Sequence, residues 1–350
     1  MGAFTDADKI YINGICCGSS YDRYAPRIYP VAPGILRAGE NVVCIHLYVF
    51  RGRGGAMPGK QYGIRFKKGK ERWLDLSGTW DAQIRKQMEY LPEKTFFNYM
   101  ASAMFNGMIS PVSPYKICAV IYYQGESDVG HPNRYALEFR ALVNDWRKSW
   151  KEKQLPIIYV QLAGFSDGNI KKQGTQWAEF REVQRQAMEI ENTAMIQAYD
   201  VGEYNDLHPM DKKTLGMRAA LAVHKLVYGE KEECTGPQVR KIRLDRDKRV
   251  HAVFDQPLQT GSKKDGCELV SEVELRKANG DYKRAYVTVD GNEICAWLSD
   301  GEEPTGIRYA WKDCPMNICL YGKKGLPVIP FIKEWGRDAI YTGKICETYR

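Results

Sequence analysis

The sequence predicts an α/β fold in which a parallel-sheet domain is flanked by domains of β-sandwich type. Residues 1–75 are short β-type runs broken by glycine turns, residues 95–230 alternate apolar strands with amphipathic helices, and residues 237–350 return to β-type runs. Strand–helix alternation at that spacing argues right-handed crossovers and a parallel sheet. Short runs between turn residues suit a sandwich instead. The domains read this way are 1–75, 76–232 and 233–350, and 350 residues are enough for two or three such units.

Taken in order, residues 9–12, 27–31, 41–48 and 62–66 are the strands of the first zone, with Gly34, Gly39 and Gly52-Arg53-Gly54-Gly55 between them. Four or so strands are few for a closed two-sheet core, so this zone reads as part of a domain. In the second zone, residues 117–123 form a continuous apolar run, the mark of a strand covered on both faces. Tyr135, Phe139, Leu142, Val143, Trp146 and Trp150 then recur at helical spacing. Residues 156–162 are a second buried strand, Trp177, Phe180, Val183, Ala187 and Met188 a second helix, and residues 193–199 a third strand. Leu215, Ala219, Ala222, Val223 and Leu226 give a third helix, stopped by Gly229. The last zone contributes runs at 250–254, 272–275, 285–289, 294–297, 306–311 and 318–320, read as a second sandwich.

Composition narrows the function classes. Hydrophobic residues make up 44% and charged residues 27%, as in a globular protein with sizeable cores. The net charge of +8 comes from 51 basic and 43 acidic residues, scattered apart from short runs such as Lys67-Lys68-Gly69-Lys70 and Arg240-Lys241-Ile242-Arg243. A nucleic-acid surface needs a denser stripe. No stretch approaches the roughly 20 apolar residues that span a bilayer, so neither nucleic acid nor membrane is an expected partner. Asp6, Asp8 and Lys9 interrupt the first fifteen residues, which therefore hold no signal-peptide apolar stretch. Ten cysteines are present and none forms a Cys-x-x-Cys pair, which weakens zinc and thioredoxin-type readings. They read as free structural thiols, with an isolated disulfide in the C-terminal third left open.

In an open parallel sheet, ligands bind at the carboxyl ends of the strands. Two loops qualify. The first strand runs into Tyr123-Gln124-Gly125-Glu126-Ser127-Asp128. A Gln amide and permissive backbone N–H groups are what an oxyanion hole requires. The same composition also suits an ordinary polar turn with Ser127 or Asp128 as a helix cap. The second loop, Asp200 to Pro209, places His208 two residues after Asp206 and just before a helix. His208 is a natural general base, whose tautomer a nearby carboxylate can fix. Of the five histidines, His46, His224 and His251 lie elsewhere, and only His131 lies as close to the first loop.

These two motifs, Val120-Ile121-Tyr122-Tyr123-Gln124-Gly125-Glu126-Ser127 and Asn205-Asp206-Leu207-His208-Pro209, resemble those of the sialate O-acetylesterases, SGNH-type hydrolases that act on acetylated sugars. Asn106-Gly107-Met108-Ile109-Ser110-Pro111, Val160-Gln161-Leu162-Ala163 and Trp177 with Arg181 are similar to neighbouring family segments. Residues 6–14 resemble a galactose-binding-like β-domain inserted into the family's catalytic domain, and residues 325–331 its C-terminal sandwich. The resemblance implies an SGNH or flavodoxin-like catalytic domain. It implies His208 as base, Asp206 as its orienting acid, and Gln124 with Gly125 on the oxyanion side. Glu126 is either the histidine's partner or a structural acceptor. No metal or cofactor is implied, and the partner is an acetylated sugar or glycan.

The chain departs from the family at one point. The family nucleophile sits in a Gly-Gln-Ser-Asn-Met block on an early strand, and this sequence contains neither that block nor the glycine-rich second oxyanion segment. Ser19 and Ser20 fall in the inserted-domain stretch, and Ser127 matches the motif's own serine, which is not the nucleophile. The expectation is therefore an incomplete catalytic domain with no nucleophile assigned, in a chain shortened at its start. The full-length relatives would be periplasmic or secreted. Three readings follow: an acetylesterase seen as its C-terminal portion, a non-catalytic carbohydrate-binding remnant, and an inert fragment.

Overall fold

A computed structural model describes residues 1–22, 25, 27–50, 52, 54–57, 60–66, 72–89, 95–166, 173–204, 206–261 and 272–335. The basic run at 67–70, Asn205, Cys267 and Cys346 lie outside the described residues. Two compact units, 1–101 and 102–350, make up the chain.

In the first unit, β1 (Ala7–Ile12) and β2 (Ile15–Ser20) form a hairpin across Asn13-Gly14, with Ile12 paired to Ile15. Both turn residues have positive φ, 51° and 82°, as a two-residue type I′ turn demands. β3 (Val43–Tyr48) pairs antiparallel on the other side of β1, giving the order β2-β1-β3. β4 (Gly63–Phe66) and β5 (Arg72–Asp75) form a separate antiparallel pair.

Residues 27–31, expected as a strand, join no sheet. Arg27 is fully buried and its Nε donates to Asp8 Oδ1 at 2.6 Å, while Nη2 donates to the Phe4 carbonyl at 3.2 Å. A buried ion pair survives only when such bonds offset its desolvation. The Tyr29 ring fills the space over Gly18, where a Cβ would lie 2.3 Å from it. The segment therefore covers the inner face of the sheet rather than extending it.

The second unit opens with a π-helical turn, Phe105–Ile109. A three-stranded parallel sheet follows: β6 (Val120–Tyr122), β7 (Ile157–Gln161) and β8 (Thr193–Gln197), in the order β6-β7-β8. α1 (Pro132–Ser149) connects β6 to β7, α2 (Gln176–Gln186) connects β7 to β8, and α3 (Lys212–Leu226) follows β8. The alternation of β7 decides the layering. Ile157 and Tyr159 pack with Tyr135, Phe139, Val143 and Phe180 of α1 and α2. Ile158 and Val160 pack with Leu215, Ala219 and Ala222 of α3. Both faces of β7 are thus covered, which is why its sequence is apolar throughout.

The run at 117–123 carries the same apolar signature but is not covered on both faces. β6 is only three residues long and lies at the sheet edge among the described strands, and Ile121 is 58% exposed. α3 packs over β7 and β8 and leaves a groove of about 510 Å³ beside β6, lined by Ile121, Tyr123, Val160, Ile196, Leu215 and Val223. An apolar run cannot by itself distinguish a central strand from an edge strand whose cover is partial.

Among the described residues the remaining strands are β9 (Val239–Leu244), β10 (Val250–Phe254), β11 (Leu258–Thr260), β12 (Val273–Arg276), β13 (Tyr282–Arg284), β14 (Tyr286–Asp290), β15 (Glu293–Trp297), β16 (Gly306–Tyr309), β17 (Leu320–Gly322) and β18 (Phe331–Glu334). Two four-stranded antiparallel sheets, β14-β15-β10-β9 and β13-β12-β16-β18, enclose one core containing Ala252, Phe254, Leu275, Ile294 and Ile307. This is a β-sandwich. Tyr199, just past β8, belongs to the same core, so the end of the parallel sheet is anchored in the sandwich. The eight described cysteines are free thiols.

Candidate active site

The carboxyl end of β6 leads through Tyr123 and Gln124 to Gly125, and a short 3-10 turn follows at Glu126–Asp128. Two neighbours fix the Gln124 amide. Tyr122 Oη donates to Gln124 Oε1 at 2.7 Å, and Gln124 Nε2 donates to Asp128 Oδ2 at 3.3 Å. A carboxyl-group oxygen can only accept from the amide nitrogen here, so the amide has one sense, with its second N–H left to point elsewhere. Gly125 has φ +145°, and a Cβ there would sit 2.9 Å from the Phe180 ring of α2. Glycine is needed at this position for both reasons. Glu126 is half-buried in the turn. Burial pushes the Tyr122 and Tyr123 phenols well up, and the nearby carboxylates add to the effect, Glu126 for both and Asp128 for Tyr122. Both stay neutral and can act only as hydroxyl donors or acceptors.

The His208 loop leaves the carboxyl end of β8. Its root is clamped by Arg218 of α3, whose guanidinium donates to Asp200 Oδ1 and Oδ2 at 2.7 and 2.6 Å and to the Gln197 carbonyl at 2.6 Å. The fork geometry satisfies a buried carboxylate on both oxygens. Gly202 then passes so close to Gly164 that a Cβ would lie 2.6 Å from the Gly164 carbonyl oxygen. The N–H of Ser166 donates to the Tyr204 carbonyl at 2.6 Å. Glu203 and Asp206 close a turn, with the Asp206 N–H donating to the Glu203 carbonyl at 3.0 Å. Asp206 Oδ1 accepts the His208 backbone N–H at 2.8 Å, and the same oxygen lies 3.9 Å from His208 Nδ1. That ring distance is longer than a hydrogen bond. Asp206 here shapes the backbone turn, and the His208 side chain is 52% exposed.

The Gln124 and His208 loops both leave carboxyl ends of strands in one parallel sheet, so they lie along the same edge. Lys212, at the start of α3, holds its ammonium 5.2 Å over the Tyr123 ring and so connects the two loops. An exposed imidazole and an oriented amide along one edge can take a proton and donate to a developing oxyanion. Among the described residues no cluster of three or more His, Cys, Asp or Glu could hold a metal ion.

Two supporting arginines are buried. Arg218 gave no sequence signal, and Arg181 was marked only by its resemblance to a family helix. Arg181 donates to the Lys312 carbonyl and, at 3.1 Å, to the Asp313 carbonyl, tying α2 to the sandwich. Burial lowers its guanidinium to about 10. The nearby Asp313 Oδ1 accepts the Trp177 N–H at 2.9 Å. Tyr122 and Asp128 sit beside Gln124 in the sequence, and a Gln flanked by a hydroxyl and a carboxylate was the legible hint of its fixed amide.

Residues 82–225 match the family described as carbohydrate esterase, sialic acid-specific acetylesterase. Over the matched residues the chain is similar to the sialate O-acetylesterase family. The chain is 28% identical over 264 residues to the sialate O-acetylesterase of Homo sapiens, covering 66% of this chain and 48% of that protein. With the Mus musculus sialate O-acetylesterase the identity is 30% over 275 residues, covering 67% and 47%. A crystal structure of a carbohydrate acetylesterase from Xanthomonas citri superposes with TM-score 0.60 at 29% identity, covering 66% of this chain and 54% of that one. The chain spans about half the length of the curated relatives it matches. The matched family residues include both candidate loops, α1, α2 and α3 as far as Lys225.

Proposed function

We propose that this chain forms the base and oxyanion side of a carboxylic-ester hydrolase that removes O-acetyl groups from sialic acid or related acetylated sugars. The observation that carries the reading is the placement of the oriented Gln124 amide and the exposed His208 imidazole on one carboxyl edge of a parallel sheet. The family match supports the ester chemistry, and the names of its members support the acetylated-sugar substrate.

In this reading the sheet is of SGNH type. His208 takes the proton from a serine hydroxyl as its oxygen attacks the acetyl carbonyl carbon. The carbonyl oxygen becomes the oxyanion, stabilised by Gln124 Nε2 and the N–H groups around Gly125. His208 then gives its proton to the departing sugar oxygen, and water releases acetate by the reverse roles. Asp206 orients His208 through the loop backbone, and Glu126 supplies negative potential beside the Tyr122 and Tyr123 phenols. No serine of the 350 residues is assigned as the nucleophile. Residues 1–75 are read as a galactose-binding-like insert.

Hydrolysis of p-nitrophenyl acetate by the 350-residue protein, together with fluorophosphonate labelling, tests the assignment of no nucleophile. The expected result is a rate equal to that of His208→Ala and no labelled serine. A His208-dependent rate with a labelled serine contradicts it. A carbohydrate-binding remnant without catalysis is the alternative, favoured by the exposed Tyr21 and Tyr48 of the first unit.

A further inference from the structure

Among the described strands, β6 pairs only with β7 and leaves its other side open. The bonds to β7 fix which backbone groups face that open side. The Val120 N–H donates to the Pro156 carbonyl at 2.9 Å, and Val120, Ile121 and Tyr122 are in parallel register with Ile157, Ile158 and Tyr159. In a parallel ladder a residue turns its N–H and C=O to the same neighbour, and the next residue turns both the other way. Val120 and Tyr122 therefore face β7. Ile121 turns its N–H and C=O outward, and Ala119 and Tyr123 are in phase with it.

Free edge strands are normally guarded by a charge, a proline or a bulge. Ala119-Val120-Ile121-Tyr122-Tyr123 holds no charge and no proline, and Ile121 is 58% exposed. The strand is also its own complement. Two copies laid antiparallel about a two-fold axis at Ile121 set each Ile121 opposite the partner's Ile121, and each Ala119 opposite the partner's Tyr123. All of these residues face outward, so every such pair can exchange both backbone bonds. Opposed side chains share a face, so the two Ile121 side chains, which lie on the α3 side with Leu215, cover each other. Charge selects this axis. The exposed Lys116 lies five residues before Ile121 and Glu126 five residues after it, so the two-fold carries each lysine towards the partner's Glu126. Neither is ion-paired within the chain among the described residues. An axis at Tyr122 would instead direct Lys116 to Asp128, which Gln124 and Arg134 already hold.

We propose that two copies of this chain associate through β6, pairing antiparallel about a two-fold axis at Ile121 so that their parallel sheets join into one. The contact is isologous and closes on itself, so it yields a dimer and not a fibre. The ladder is short, and the dimer is therefore reversible. The inference goes beyond the esterase reading and does not rest on it.

Sedimentation equilibrium of the 350-residue protein in reducing buffer tests it, at concentrations up to about 100 μM, where a dimer of micromolar affinity is the main species. Wild type should show a reversible monomer–dimer equilibrium. Ile121→Lys, which sets two ammonium groups against each other on the axis, should raise the dimer Kd about tenfold or more. Lys116→Glu and Glu126→Lys should each raise it about fivefold, as expected for exposed charge pairs. The double variant carrying both should return to within about twofold of wild type, because the charges are then exchanged and not lost. His208→Ala should dimerise as wild type, so a failure here is separate from a failure of the esterase reading. Circular dichroism confirms that each variant is folded. A wild type that stays monomeric throughout, as it would if the edge took a strand of another protein, overturns the proposal. So does a dimer that folded Ile121→Lys leaves intact, or a double variant no tighter than either single one.

Discussion

A Cβ at Gly125 would meet the Phe180 ring at 2.9 Å, and the residue's φ of +145° is a conformation that side chains rarely adopt. Gly125→Ala should therefore destabilise the second unit by about 1–3 kcal/mol. Thermal unfolding followed by circular dichroism should show a lower Tm, and an unchanged Tm would mean that the turn relaxes without cost. The sequence displayed this glycine, along with Gln124 and His208, because strand-end loops collect polar and permissive residues in recognisable order. Apart from Tyr122 and Asp128 beside Gln124, it did not display the partners that set their geometry. Asp206 is two residues from His208 and invites a ring contact, but its Oδ1 accepts the backbone N–H at 2.8 Å and stands 3.9 Å from the ring. The short spacing lets a carboxylate reach either group, and only the path of the turn decides between them.

At the level of elements, helices and central strands were legible where one period ran unbroken. α1 and β7 carried strong patterns because α1 buries one stripe and β7 both faces. β2 was not read because Cys16-Cys17-Gly18-Ser19-Ser20 has no apolar alternation, although Asn13-Gly14 ahead of it is the strongest short hairpin signal. Its pairing is imposed by β1. Residues 27–31 failed in the opposite way, since their β-like composition serves a buried Arg27 that pins the segment across the sheet. The helix that follows the His208 loop offers a test at this scale. Asp211 caps α3, accepting from the Thr214 hydroxyl at 2.6 Å and the Thr214 N–H at 2.9 Å. These bonds, the hydroxyl first, hold its carboxyl below the ordinary value. A depressed carboxyl contributes stability above its unfolded pKa of about 3.9 and loses it as pH falls through the folded value. Asp211→Ala should thus cost about 0.5–1 kcal/mol at pH 7, the lower part of the capping range because the group is exposed. The gap from wild type in urea denaturation should narrow below about pH 4. A gap that persists after the folded carboxyl has been protonated would remove the charge from the explanation.

On the scale of the whole molecule, the sequence showed three zones of different period, and the structure gives sheets of the matching kind in each. What no pattern could show is that Tyr199 and Arg181 tie the parallel sheet to the sandwich, because such ties are single residues without period. Thiol chemistry reads this architecture directly. Burial pushes the Cys314 thiol up to about 11, and Cys234 and Cys319 are also buried, whereas Cys16, Cys44 and Cys118 are exposed. Iodoacetamide at pH 8 followed by peptide mass spectrometry should modify the exposed three first and spare the buried three until the protein is unfolded. Rapid native-state alkylation of Cys314 would contradict the closed junction around it.

The role proposed for His208 is that of proton-transferring base on an ester-hydrolase edge completed by a serine. Its most direct test is the turnover of an O-acetylated sialic acid by a longer protein that carries a Gly-Gln-Ser-Asn segment ahead of these residues, compared with its His208→Ala variant. The account predicts a loss in kcat of about 10⁴-fold or more, with a Tm unchanged because the imidazole is 52% exposed. Turnover by the folded variant within tenfold of the parent would contradict it.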